Sequence, residues 1–155
     1  MPEENTKKKP RPFPCFVCDT SFMASYLLNG ICDDEFSDCI KDFEYVLENN
    51  GQIYVPQLFW YEIENVLLYK TRKNKSGKSL LSKSDALDIL YDLQRLPIYT
   101  DPQSDGEIRQ RIFDLAEEYN LSYYDASYLE LARRTSFELK TYDDELKAAI
   151  GGKQG

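Results

Sequence analysis

Two rhythms of apolar and polar positions run along the 155-residue chain. Short apolar runs recur at FPCFVC (13–18), QIYVP (52–56), PIYT (97–100) and FELKT (137–141). They lack clean polar alternation and read as strands buried on both faces. Between them apolar residues return every three or four positions, the period of amphipathic helices. A short helix is expected at 22–28. A clearer one at 33–50 carries Phe36, Cys39, Ile40, Phe43, Val46 and Leu47, with acids in its first turn and Gly51 as its stop. Pro56 stands where the 58–72 helix begins. The 82–96 helix opens at Ser82 or Ser84. The next carries Ile108, Ile112, Leu115, Ala116 and Tyr119 on one face, with Ser104 and Glu107 as a capping box and Asn120 as its break. Ser122 opens a helix over 122–134, and a last one spans 143–150.

Strands that alternate with helices predict an α/β fold, a mainly parallel sheet with helices on both sides. The length suits one domain, expected over 13–150. Residues 1–12 read as a disordered basic tail, whose KKKPRP can pass for a nuclear-localisation patch. Residues 151–155 read as a frayed end. No apolar run approaches the ~20 residues of a membrane span, and the first residues lack the apolar stretch of a secretory signal. A soluble, cytoplasmic protein is expected, with its four cysteines reduced.

Histidine is absent. That excludes Ser-His and Cys-His nucleophiles, histidine bases and Cys₂His₂ zinc. Acid–base and ligand chemistry falls mainly to 27 Asp plus Glu. The net charge of −8 argues against non-specific nucleic-acid binding, yet allows a nuclease whose acids are neutralised by metal. One segment breaks the trend. KTRKNKSGKSLLSK (70–83) holds Lys70, Arg72, Lys73, Lys75, Lys78 and Lys83 without an acid. It reads equally as an RNA-phosphate-contacting loop or as a solvated connector.

In an open parallel sheet, ligands bind beyond the carboxyl ends of the strands. Asp19 ends the first strand, and Asp143 follows the fourth by two residues. On the 58–72 helix Glu62 falls at one side of the stripe formed by Leu58, Phe59, Ile63, Val66 and Leu67, whereas Glu64 faces away. Asp125 lies in the first turn of its helix. Each has a structural alternative: an Asx turn for Asp19, a helix cap for Asp143, a capping box with Ser122 for Asp125. Glu62 has the weakest one, because an acid on a buried face needs a compensating charge or ligand. Four carboxylates on one edge repel one another, and a hard divalent cation such as Mg²⁺ or Mn²⁺ resolves this. The site then suits metal-dependent phosphodiester hydrolysis.

With VCDTSF, VPQLFWYEIENVL, LSYYDASYLELA and LKTYDDEL in this order and spacing, the chain resembles the PIN domain family, and within it the VapC-type toxins. The resemblance covers about residues 15–150. It implies a three-layer α/β/α sandwich and an Mg²⁺- or Mn²⁺-dependent endoribonuclease acting on RNA. Asp19 and Asp125 would be the main metal ligands, completed by Glu62 and Asp143. Thr20 or Ser21 and Thr141 would orient carboxylates, and Asn65 would contact phosphate or support Glu62. The family also implies homodimers and a cognate antitoxin. Trp60, Tyr61 and Leu68, off the main apolar face of their helix, fit either an interface or burial on two sides.

Two rivals remain: a catalytically silent PIN-fold module that binds RNA or protein, and a haloacid-dehalogenase-type phosphatase. The latter needs D-x-D after the first strand, where this chain has Asp19-Thr20-Ser21. Cys15 and Cys18 form C-x-x-C, but their odd separation on a strand points them to opposite faces. They read as small apolar strand residues.

Overall fold

The computed structural model describes residues 13–31, 38–103 and 105–152. Its elements in chain order are β1 (Cys15–Cys18), α1 (Thr20–Leu27), α2 (Cys39–Glu48), β2 (Gln52–Pro56), α3 (Leu58–Thr71), α4 (Lys83–Leu93), β3 (Ile98–Asp101), α5 (Gly106–Tyr119), α6 (Tyr123–Thr135), β4 (Glu138–Lys140) and α7 (Asp144–Ile150). The basic tail at 1–12, Cys32, the first residues of the 33–50 helix with Phe36, Ser104, and residues 153–155 lie outside the described residues.

All strand pairs are parallel, in the order β3-β2-β1-β4. Phe16 stands opposite Ile53 and Glu138, and Ile53 opposite Ile98. Helices flank this sheet in a three-layer α/β/α sandwich. Sequence order matters less than strand order here: β1 and β4 are neighbours, so the residues that leave them, Asp19 and Thr141, lie side by side. α6 packs on β1, β2 and β4, and α5 packs against α6. On the sheet, Phe16 meets the rings of Phe22 and Phe43 edge-on at 5.9 and 5.3 Å, and Tyr26 stacks on Phe43. This aromatic cluster holds α1 and α2 to β1. Cys18 and Cys39 are fully buried and Cys15 is partly so. A smaller apolar cluster of Leu28, Leu67, Leu81 and Ala86 ties the connector to α1, α3 and α4.

Three helices end on non-glycine residues in the left-handed region, Asn50 (φ 53°), Asn120 (φ 52°) and Ser136 (φ 59°). Asn120 is the expected break. At α2 the expected stop needs correction: Asn50, not Gly51, takes the left-handed turn. Gly51 then closes a Schellman motif by donating to the Val46 carbonyl at 2.8 Å. Glycine is required there for another reason, since a Cβ would stand 1.9 Å from the Pro14 oxygen.

Other starts also shift. Asp19 caps α1, so the helix begins at Thr20, two residues earlier than expected. α5 is capped by Asp105, which accepts from the Glu107 N–H at 2.8 Å. α4 takes Ser82, in a reciprocal box with Asp85. Pro56 stays in β2, and Gln57 precedes α3 without a side-chain cap. The 58–72 helix splits the two readings of its aromatic flank. Trp60 tucks in and donates Nε1–H to Thr100 Oγ at 2.9 Å, while Tyr61 and Leu68 stay exposed.

Candidate active site

Asp19 follows β1 and is buried, at 5% exposure. Its Oδ1 accepts from the Ser21 hydroxyl at 2.6 Å and from the Phe22 N–H at 3.1 Å. Its Oδ2 accepts from the Thr141 hydroxyl. Thr141 in turn accepts the Asp143 N–H at 3.0 Å, and Ser21 accepts the Tyr142 N–H at 3.0 Å. A bonded lattice thus joins the β1–α1 turn to the β4–α7 turn. Of the candidate hydroxyls, those of Ser21 and Thr141 donate to Asp19. The Asx-turn alternative for Asp19 becomes a helix cap, and Asp143 also caps, with Oδ1 accepting the Leu146 N–H at 2.8 Å.

Glu62 lies half-buried beside the stripe of Phe59, Ile63 and Leu67, with Glu64 exposed opposite. Its Oε1 accepts from the hydroxyl of Tyr128 at 2.6 Å. Tyr128 is 1% exposed, so its hydroxyl depends on this acceptor. Tyr128 thus supports Glu62, while Asn65, one turn further along α3, is exposed. Ser122 caps α6 through the Asp125 N–H at 3.1 Å. The reciprocal half, Asp125 bonding back to the Ser122 N–H, is not formed.

These acids feel one another. Burial raises the Asp19 carboxyl above its ordinary range, against the pull of Ser21, Thr141 and the Phe22 N–H, with Asp143 adding repulsion. Glu62 is raised by burial, opposed by the Tyr128 bond and reinforced by Asp125 and Asp19. Asp125 is raised by burial, then by Asp143 and Asp19, with the Ser122 hydroxyl acting the other way. Burial and the Glu62 charge also push the Tyr128 phenol far up, so it stays a donor. Among the described residues none of the four carboxylates forms an ion pair. The N-termini of α1, α6 and α7 offset part of the charge. The remainder is an acidic oxygen set, the donor chemistry that suits a hard divalent cation.

One residue of the cluster was not foreseen. Carboxylate oxygens of Asp125, Asp143 and Glu145 lie within 4.8 Å of one another. Its signal is the D-D-E run, which puts Glu145 in the first turn of α7. Conversely, the C-x-x-C cysteines join no metal-binding group among the described residues. Burial and the Asp19 charge raise the Cys18 thiol, which keeps it inert.

The basic segment is an ordered turn. Asn74 Oδ1 accepts from the Ser76 N–H, the Ser76 hydroxyl and the Lys78 N–H at 3.0, 2.6 and 3.1 Å. Lys73, Lys75 and Lys78 are exposed on it, and Arg72 lies 5.5 Å over the Tyr69 ring. Lys70 stands apart, lining a hollow with Thr20 and Ser21.

A parallel α/β sandwich with carboxylates gathered at the carboxyl edge of its sheet is the class of protein described so far. The PIN domain family profile matches residues 16–151, and the chain belongs to the PIN domain family, whose members are generally nucleases. PAE2754 from Pyrobaculum aerophilum has a similar structure, with 21% identity and a TM-score of 0.63 over 97% of this chain and 90% of that one. So has VapC20 of Mycobacterium tuberculosis, a sarcin–ricin-loop-cleaving toxin, with 13% identity and a TM-score of 0.57 over 86% of this chain and 94% of that one. No curated protein matches significantly in sequence. No helix among the described residues is long and apolar enough to cross a membrane.

Proposed function

We propose that residues 13–150 act as one PIN-type domain that hydrolyses RNA phosphodiester bonds with Mg²⁺ or Mn²⁺, as the toxin of a toxin–antitoxin pair. The observation that carries the reading is the gathering of acids from separate parts of the chain: Asp125, Asp143 and Glu145 place carboxylate oxygens within 4.8 Å of one another, Asp19 is bonded to Thr141, which accepts the Asp143 N–H, and Glu62 feels the charges of Asp125 and Asp19. RNA as substrate is supported by the resemblance to VapC20, which cleaves the sarcin–ricin loop.

Asp19, Asp125 and Asp143 would hold the cation, with Glu62 and Glu145 completing the acidic set. When bound, it supplies a Lewis acid for the phosphate and lowers the pKa of water. The side chains do the positioning. Ser21 and Thr141 fix both oxygens of Asp19 before substrate arrives, and Tyr128 holds Oε1 of Glu62. Asp19, the most deeply buried of the set, is the least screened by bulk water. A water nucleophile needs no help from the 2′-hydroxyl, so products carry a plain phosphate rather than a 2′,3′-cyclic one. The protein would work in the cytoplasm, as a homodimer, restrained by a cognate antitoxin.

The test is cleavage of RNA by purified protein with Mg²⁺ or Mn²⁺ and with EDTA. Asp19→Asn and Asp125→Asn are each expected to lower the rate by at least ~10²-fold while circular dichroism stays unchanged. Wild-type turnover by either variant would remove the site assignment. Folded, Mn²⁺-binding protein that cuts no RNA would favour the silent module.

A further inference from the structure

α1 and α3 pack side by side but do not fill the space between them. α1 lines the gap with Thr20, Ser21, Ala24, Ser25 and Leu28, and α3 with Val66 and Lys70, around a hollow of about 320 Å³. The α1 residues repeat at helical spacing along one face, and all but Leu28 are small. Val66 and Lys70 follow Glu62 at intervals of four, so one face of α3 runs from the acid centre to a lysine. The upper end of the hollow is Ser21, whose hydroxyl bonds to Asp19. Its lower end is Lys70, eight residues and so ~12 Å along the helix from Glu62. The Lys70 carbonyl accepts the N–H groups of Leu80 and Leu81, both at 3.1 Å, which pins this end of α3. Among the described residues Lys70 forms no ion pair.

We propose that this groove is a subsite for a phosphodiester flanking the one at the carboxylates, with Lys70 as its counter-charge and the Thr20 and Ser25 hydroxyls as its polar walls. This rests on the phosphodiesterase reading above. A polynucleotide laid across an acidic centre is repelled on either side of the neutralised phosphate, in a molecule of net charge −8. A cation at the far end of a continuous groove offsets that repulsion. The groove also separates Lys70 from the exposed Lys73, Lys75 and Lys78, which line no part of it.

The test uses a short fluorescein-labelled single-stranded RNA, with binding read by anisotropy in Mg²⁺ on an Asp125→Asn background. Lys70→Met is expected to weaken binding about fivefold at low salt. The slope of log K against log salt should become shallower by ~0.7, the value for one phosphate contact on a single strand. Lys70→Arg should restore both, and Lys41→Ala on α2 should change neither. In the otherwise wild-type enzyme, Lys70→Met should raise KM and leave kcat unchanged. If the parent binds RNA but Lys70→Met keeps its affinity and salt slope, the subsite is wrong and the nuclease reading stands. If wild-type protein neither binds nor cuts RNA with Mg²⁺ or Mn²⁺, both fall together.

Discussion

At Asp19 the oxygen that caps α1 belongs to the same carboxylate that would meet a metal. Asn keeps the capping oxygen and loses the charge, whereas Ala loses both. Asp19→Ala should therefore cost about 2 kcal/mol of stability, from the lost cap and from the hydroxyls of Ser21 and Thr141 left without an acceptor. Asp19→Asn should cost clearly less in urea denaturation, and both should be inactive. Tyr128→Phe isolates the orientation of Glu62. The ring and its packing survive, but Glu62 loses the Tyr128 donor, so Mn²⁺ affinity by calorimetry and cleavage should each fall about tenfold. Unchanged affinity would mean that the Tyr128 bond is structural alone. Tyr128 was not legible in the sequence, because in LSYYDASYLELA it reads as one more aromatic on an apolar face. Glu62 was legible for the opposite reason, since an acid beside a buried stripe breaks the pattern.

At the level of elements, α5, α6 and β3 are joined by a charged tie. Arg134 holds Asp101 through both terminal nitrogens, at 3.1 and 2.8 Å, and reaches Glu130 through Nε at 2.8 Å. Arg111 of α5 adds a contact to Glu130 at 3.4 Å. Glu130 is 1% exposed, so losing Arg134 leaves carboxylates buried without their main partner. Arg134→Met should cost about 3 kcal/mol in urea or thermal unfolding, and substitution of exposed Lys41 should cost almost nothing. No single segment announces this tie, because its members come from three elements that only the fold brings together. The strands and helix interiors were legible, since their periods are set by burial. The start of α5 was not. Ser104 and Asp105 are both valid caps in sequence, and only the backbone chooses between them. At α2 the same ambiguity let Gly51 stand in for Asn50, until the closeness of the Pro14 carbonyl explained why glycine is there.

For the molecule as a whole, the acid cluster should couple stability to pH and to any cation it binds. Asp19, Glu62 and Asp125 all bind protons more tightly in the folded state, with burial the largest cause. Metal-free stability should therefore fall as pH rises from the unfolded carboxyl values near ~4 through the raised folded ones, and level off above them. Added Mn²⁺ should reverse the trend, since binding needs the carboxylates ionised. Calorimetric melting at pH 5 and pH 7.5, with and without Mn²⁺, reads both effects. Asp125→Asn should raise the metal-free Tm at pH 7.5 by roughly 2 °C and reduce the Mn²⁺ shift. A metal-free Tm that climbs steadily over this range would show that the cluster does not repel itself as described.

The double duty of Asp19 and Asp143 as helix caps also bears on how such a protein changes by descent. A lineage that gave up catalysis could not discard these two acids freely, because α1 and α7 start on them. Glu62 is held back by the buried phenol that it satisfies. Asp125 caps nothing with its carboxylate, so selection for stability alone favours its replacement. The first mark of a silenced descendant should thus be a change at position 125, with Asp or Asn still present at 19 and 143.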